Sequence, residues 1–443
     1  MKRIDIADWT ISQALSMGAQ AARVELSCID MLNVQCDDAE VSTLQQNSSC
    51  ALVMRLYVDG RYGTYSTNRL ERSEILSLIS SGIACTRLLT PDPDRSLPDP
   101  KRYYQASSLQ QNRLEAIALG NYSEEGNDRF DPVAMALSVG APILGADSRI
   151  INVSTQLGYR RGWQYLADTQ GFRGLSLCSQ SYAFTSVSLH DEGDSRPSDG
   201  WFDYAIDFKG LSPALDGLGR KALDAALWRL GSGAVPAGRY TIAVEPTCLM
   251  KLLSPLIDAM SDYSLYQKRS FLIDRLDSVI TSPILTITEE PQHHGAYGAC
   301  LFDFEGVRTS ATDIIRNGRL CTYLFGTYYS RKMSVAPTLS GVNVLCIEPG
   351  TRSRQQILDS SPSDVILITG FLGGNSNEAT GDFSFGIEAQ LFRHGERIQG
   401  IAGMNITGNI LSLWQNLAEV ANDTEKVTDG YFPTLFFHDI ELA

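Results

Sequence analysis

Two periods alternate along this chain. Ile4, Ala7, Ile11 and Leu15 fall on one helical face that Gly18 closes as a C-cap residue, predicting a first helix. Val24, Leu26 and Cys28, then Leu32, Val34 and Cys36, alternate with polar neighbours as strands do. A strand over 50–58 runs into Asp59-Gly60, a tight hairpin turn, and returns over 61–65. Asn68 with Glu71 three residues on reads as a capping box for a helix through Ile75, Leu76, Ile79 and Ile83. Pro91, Pro93, Pro98 and Pro100 forbid regular structure and predict an extended linker. Beyond it, 114–119 and 132–137 have helical spacing. Segments 150–157, 163–167, 175–178 and 183–189 alternate around a turn at 168–171, which predicts an antiparallel meander.

In the second half, Ser212-Pro213 predicts the capped start of a helix through Leu215, Leu218, Ala222 and Ala226 that stops at Gly231. A strand over 239–245, an apolar segment over 248–260, a hairpin at Asn317-Gly318 and strands over 365–371, 383–392 and 435–442 complete the pattern. Ile410, Leu413, Trp414, Leu417 and Ala421 recur at helical spacing and predict one buried face beginning just after Gly408. The sum is an α+β fold of mixed helices and largely antiparallel sheet. At 443 residues, with the proline stretch as punctuation, the chain divides into an N-terminal α+β domain (1–90), a linker and mostly-sheet middle (91–211) and a C-terminal α+β domain (212–443).

Charge removes one class of partner. The net charge of −14 is spread without long runs and repels phosphate backbones, so no direct nucleic-acid contact is expected. Nine cysteines, odd in number and scattered without a Cys-x-x-Cys pair, suggest neither a disulfide framework nor a zinc ribbon, and a reducing cytoplasm fits them. Met1-Lys2-Arg3 leads into Ile4-Asp5-Ile6-Ala7-Asp8, which lacks the apolar core of a signal peptide, and the uncharged stretch between Arg397 and Glu419 is too polar to span a membrane.

Familiar catalytic templates are missing. There is no Gly-x-Ser-x-Gly elbow, Walker loop or Gly-x-Gly-x-x-Gly after a strand, and none of the five histidines is followed by Glu. His293-His294 is the one adjacent pair; neighbours on a strand point to opposite faces, which makes joint ligation of one metal awkward, and Pro291 and Gly295 make the segment loop-like. Asp258 and Asp262 offer carboxylates with no partner histidine. Gly373-Gly374-Asn375 and Gly381-Asp382 could form a backbone nest or simply tight turns.

The most specific string is Asn375-Ser376-Asn377-Glu378-Ala379-Thr380-Gly381-Asp382-Phe383-Ser384, followed by Gly403-Met404-Asn405-Ile406-Thr407-Gly408-Asn409 and the apolar face through Trp414. In this order near a C-terminus it resembles the TldD/PmbA family, peptidase-related proteins also called modulators of DNA gyrase. The segment from Tyr263 to Asp274 resembles the PmbA (TldE) branch. In the TldD branch, the segment matching 251–266 carries His-Glu-x-x-x-His. Here Ser254 stands at the first His, Pro255 at the Glu and Ala259 at the second His.

The resemblance implies a PmbA/TldD-like multi-domain architecture and a cytoplasmic subunit that lacks the metal, paired with a TldD-type metal-bearing paralogue or as a homodimer, in a protease that processes and degrades unfolded peptides. No catalytic residue and no metal are expected on this chain; zinc belongs to the partner. Asn375, Asn377, Thr380, Gly381 and Ser384 are the expected peptide-binding residues, because small and amide side chains let a main chain approach closely. Two rival readings are an active hydrolase with a non-metal site and an interaction protein acting on DNA gyrase or an antitoxin.

Overall fold

The computed structural model describes residues 4–127 and 129–443; Met1-Lys2-Arg3, used above in reading the N-terminus, and Asp128 lie outside them. Helix α1 (Ile4–Ser16) lays Ala7, Ile11 and Ala14 on the first sheet. There follow β1 (Ala21–Asp37), β2 (Glu40–Val58), β3 (Arg61–Thr67), α2 (Arg72–Thr86), α3 (Leu109–Ala118), α4 (Pro132–Gly140), β4 (Ile150–Asp168), β5 (Arg173–Leu189), β6 (Ser198–Ala205) and α5 (Phe208–Leu227). The six strands form one antiparallel sheet in the order β3-β2-β1-β4-β5-β6.

The alternating segments read separately from the sequence are halves of very long strands. Gly158 and Gly162 look like breaks but sit inside β4, where an added Cβ would lie 2.3 Å from the Leu32 carbonyl oxygen and 2.5 Å from that of Cys28. Only glycine fits so close a backbone approach. Because β1 pairs with β4, residues on both sides of the proline stretch share one sheet. The stretch itself is pinned: Tyr328 Oη donates to Asp92 at 2.6 Å and an Arg331 guanidinium N–H to the Leu97 carbonyl at 3.0 Å. One expectation about cysteine fails here. Cys28 and Cys50 stand opposite each other in the β1–β2 register and form a disulfide; sheet pairing, invisible in their spacing, brings them together.

The second half comprises β7 (Gly238–Val244), α6 (Met250–Met260), α7 (Asp262–Tyr266), β8 (Ile287–Glu289), β9 (Thr312–Arg316), β10 (Arg319–Leu320), α8 (Thr327–Lys332), β11 (Leu345–Ile347), α9 (Arg354–Ser360), β12 (Val365–Ser376), β13 (Asp382–Arg393), β14 (Glu396–Asn409), α10 (Ile410–Gln415), β15 (Leu417–Val420), β16 (Glu425–Val427), β17 (Gly430–Phe432) and β18 (Leu435–Leu442). Two sheets result, β10-β9-β8-β11-β17-β16 and β14-β13-β12-β7-β18-β15. In the latter, Ile406 and Thr407 of β14 also pair with Leu442 and Glu441 of β18, so β14, β13, β12, β7 and β18 close into a ring. Leu252, Leu253 and Leu256 of α6 join Ile242, Ile366, Phe385, Trp414 and Phe437 in the largest core. The architecture is α+β with mostly antiparallel pairing; β7–β12 and β11–β17 are the parallel exceptions.

Several helix boundaries differ from the sequence reading; α3, for one, begins at Leu109, capped by Ser108, and not at 114. Helix α5 begins at Phe208, capped by Asp207, and carries Pro213 in its interior, because Phe208 and Leu211 extend the buried stripe beyond the Ser-Pro signal. Helix α2 is preceded by Glu71 without a side-chain cap, so the Asn68 capping box is not made. The face from Ile410 to Ala421 is buried throughout, but its helix stops at Gln415 and Leu417 onward is strand; burial alone cannot tell the two apart. Trp414, Phe432, Phe436 and Phe437 are all buried, so core packing accounts for them.

Candidate functional site

The residues singled out by motif converge on one place. Helix α6 places Lys251, Ser254, Pro255 and Asp258 on a single face, at spacings of three and four. That face meets the hairpin of β12 and β13. Lys251 Nζ donates to the Gly374 carbonyl at 3.3 Å and lies 4.8 Å over the Phe385 ring. Burial, with the nearby Glu378 charge adding to it, raises the Asp258 carboxyl above its ordinary range.

At the α6 positions the chemistry of a metal site is missing. Ser254 Oγ donates to the Met250 carbonyl four residues back, at 2.9 Å. Pro255 lies inside the helix with no N–H to give. Ala259 is 2 % exposed and its carbonyl accepts Ser270 Oγ at 2.5 Å. One committed hydroxyl, a ring with no donor and a buried methyl do not fit the zinc centre that a metallopeptidase helix requires.

The hairpin divides the five expected peptide-binding residues. Asn377, Thr380 and Gly381 build the turn. Asn377 Oδ1 accepts the N–H groups of Ala379 (2.9 Å) and Thr380 (3.2 Å), and Gly381 N–H donates to the Asn377 carbonyl at 2.7 Å. Thr380 Oγ1 donates to Asp382 at 2.7 Å, and Asn409 Nδ2 donates both to the Thr380 carbonyl (2.8 Å) and to Asp382 (3.0 Å). These bonds lower the Asp382 carboxyl, the one from Asn409 most. Gly381 adopts φ +81°, the left-handed region that favours glycine. By contrast Asn375 and Ser384 are opposite each other on β12 and β13, both exposed.

What the sequence could not show is the edge beside them. Strand β7 pairs with β12 only over Val365 to Ile368, so Thr369 to Ser376 run on past its end. Among the described residues no strand covers that side. Leu372 is 57 % exposed there, and Gly373 and Gly374, at φ +69° and +84°, form a bulge. Apart from the Gly374 carbonyl, which Lys251 takes, such an edge presents backbone groups that a second extended chain can take up. Apolar alternation marks a strand but not which of its sides stays open.

A cavity of about 670 Å³ opens at the start of that edge, lined by Thr369 and by Trp201, Tyr204, Trp228, Glu245 and Lys426 among others. Burial raises the Glu245 carboxyl although Arg354 is bound to it at 2.8 Å. No sequence signal pointed to this space, because its walls come from seven separate segments.

Fold and site together define an α+β protein with a helix-and-hairpin site on a ring-closed sheet, with Ser254, Pro255 and Ala259 on its helix. The family model described as the PmbA/TldA metallopeptidase C-terminal domain matches residues 237–443. A crystal structure from Bacteroides thetaiotaomicron, of a protein named as a modulator of DNA gyrase, is 36% identical, with a TM-score of 0.92, covering 99% of this chain and 98% of that one. This chain belongs to the PmbA/TldD family. It is also similar to metalloprotease PmbA of Escherichia coli O157:H7, 25% identical over 99% of this chain and 96% of the relative. TldE from Thermococcus kodakarensis shares the fold at 18% identity, with a TM-score of 0.83, covering 99% of this chain and 100% of that one.

Proposed function

We propose that this chain is the TldE-type subunit of a two-subunit peptide-processing protease of the cytoplasm, contributing substrate binding and no catalytic metal. The observation that carries the reading is the juxtaposition of α6, with Ser254, Pro255 and Ala259 at the motif positions, and the open edge of β12. A TldD-type paralogue would hold the zinc that activates water. An unfolded peptide would add as a strand along residues 369–376, held through main-chain hydrogen bonds that read no particular sequence. Asn375 lies on the edge strand itself and Ser384 stands opposite it on β13, behind that strand, while Asn377, Thr380 and Gly381 serve it indirectly by fixing the turn. Seven of the nine cysteines are free, and Cys28–Cys50 is the disulfide among the described residues. Among the described residues no helix is long and apolar enough to cross a membrane.

Binding of an unfolded peptide to the purified chain tests the edge. Scrambling the peptide should leave affinity nearly unchanged, whereas N-methylation at alternate residues, which removes backbone donors and adds bulk at the strand edge, should abolish binding. Equal binding of the methylated and unmethylated peptides would refute strand addition.

A further inference from the structure

The sequence pairs His293 with His294, but the fold pairs it with other residues. Glu290 follows β8, His293 sits in the turn after it, and Cys346 is the middle residue of β11, the strand hydrogen-bonded to β8. One donor atom from each, a carboxylate oxygen, an imidazole nitrogen and the thiol sulfur, lies within 4.8 Å of the other two. His293 Nδ1 is 2.8 Å from Glu290 Oε2. We propose that Glu290, His293 and Cys346 form a zinc site, separate from α6, with three protein ligands and a fourth position open to solvent.

The donor set is the first argument. Nitrogen, sulfur and oxygen donors suit a borderline ion such as zinc and suit magnesium or calcium poorly. Tetrahedral zinc places its ligands roughly 3.3–3.8 Å apart, as follows from its bond lengths, a spacing that falls between the 2.8 Å of the His293–Glu290 contact and the 4.8 Å that bounds the cluster. The second argument is support. The Glu290 N–H donates to the Val344 carbonyl at 2.8 Å, tying the turn to the strand that bears Cys346. The turn is closed by His293 N–H to the Glu290 carbonyl (3.0 Å) and by Ala296 N–H to the His293 carbonyl (3.1 Å). The buried Glu289 carboxylate accepts the N–H groups of Asn343 (2.8 Å) and Val344 (3.1 Å), fixing the start of β11. The Tyr431 ring, opposite Cys346 in the β11–β17 pairing, packs on the His293 ring at 4.2 Å. The third is access: the His293 and Glu290 side chains are 36% and 40% exposed, so an ion can enter and keep a water.

Cobalt(II) chloride titrated into the full-length, chelator-stripped protein tests the site. The expected result is one saturable site at micromolar cobalt with a thiolate-to-cobalt charge-transfer band, bleached by one equivalent of zinc. Cys346→Ser should remove the band, and His293→Gln and Glu290→Gln should each weaken binding by more than about 100-fold, since even outer-shell losses cost 10–100-fold. Cys321→Ser should keep the band, and circular dichroism of the metal-free variants should match the parent. A variant that fails to fold is set aside in favour of the other two. No saturable binding, binding without the band, or a band that survives Cys346→Ser overturns the proposal.

Discussion

Replacing Gly381 tests whether the hairpin turn is held by geometry or is free to adapt to a ligand. At φ +81° a side chain is strained before it touches anything, and an added Cβ would stand 3.3 Å from both the Phe271 ring and Asn409 Nδ2. For Gly381→Val, backbone strain plus crowding of a buried, β-branched residue comes to about 2–4 kcal/mol. Gly381→Ala keeps the strain with less crowding and should cost about 1–2 kcal/mol, while Asn, which visits left-handed backbone readily, should cost under about 1 kcal/mol. The bonds at risk are Gly381 N–H to the Asn377 carbonyl and Ile410 N–H to the Gly381 carbonyl, which anchors the start of α10. Urea denaturation gives the global ranking, Asn above Ala above Val, and hydrogen exchange over 375–386 shows where protection is lost. A valine variant as stable as the asparagine one, or unchanged exchange in the hairpin, would refute the reasoning.

Three further outcomes follow from other parts of the molecule. Asp168, with a fully buried side chain, accepts from Arg23 at 2.8 Å, Tyr103 Oη at 2.6 Å and the N–H groups of Gln170 and Phe172; Asp168→Asn should cost about 3–5 kcal/mol, and Arg23→Met with Asp168→Leu should cost less than the sum of the singles in a denaturation cycle. Ser254→His, Pro255→Glu and Ala259→His together should yield no peptidase and a destabilised protein, because the second imidazole must enter a core where Ala259 is 2 % exposed; appearance of chelator-sensitive hydrolysis would contradict this. Burial, reinforced by the Glu305 charge, raises the Asp262 carboxyl against the opposing Gly326 and Tyr263 N–H groups. Its charged form is therefore penalised above the folded pKa, so wild type should gain stability relative to Asp262→Asn as pH falls through that pKa towards the ordinary aspartate range, read as a melting-temperature difference.

Much of the frame was legible because it rests on local chemistry. Asp59-Gly60 and Asn317-Gly318 turn with positive φ as their residue types demand, and β18 runs from Leu435 to Leu442, the bounds read from the sequence. Legibility ended where long-range pairing decides. The Cys28–Cys50 disulfide, the meeting of α6 with the hairpin, the uncovered edge of β12 and the approach of Cys346 to His293 all depend on which strands are neighbours. Within the site, small polar residues read equally as ligand contacts and as turn formers; hydrogen bonding assigns Asn377, Thr380 and Gly381 to the turn and leaves Asn375 and Ser384 exposed.

The central claim is division of labour between two subunits, and hydrolysis of an unfolded peptide by separately purified and recombined chains tests it most directly. This chain alone should be inactive. A TldD-type paralogue bearing His-Glu-x-x-x-His should gain activity on mixing with it. Hydrolysis by this chain alone, insensitive to chelators, or full activity of the paralogue without it, would contradict the account.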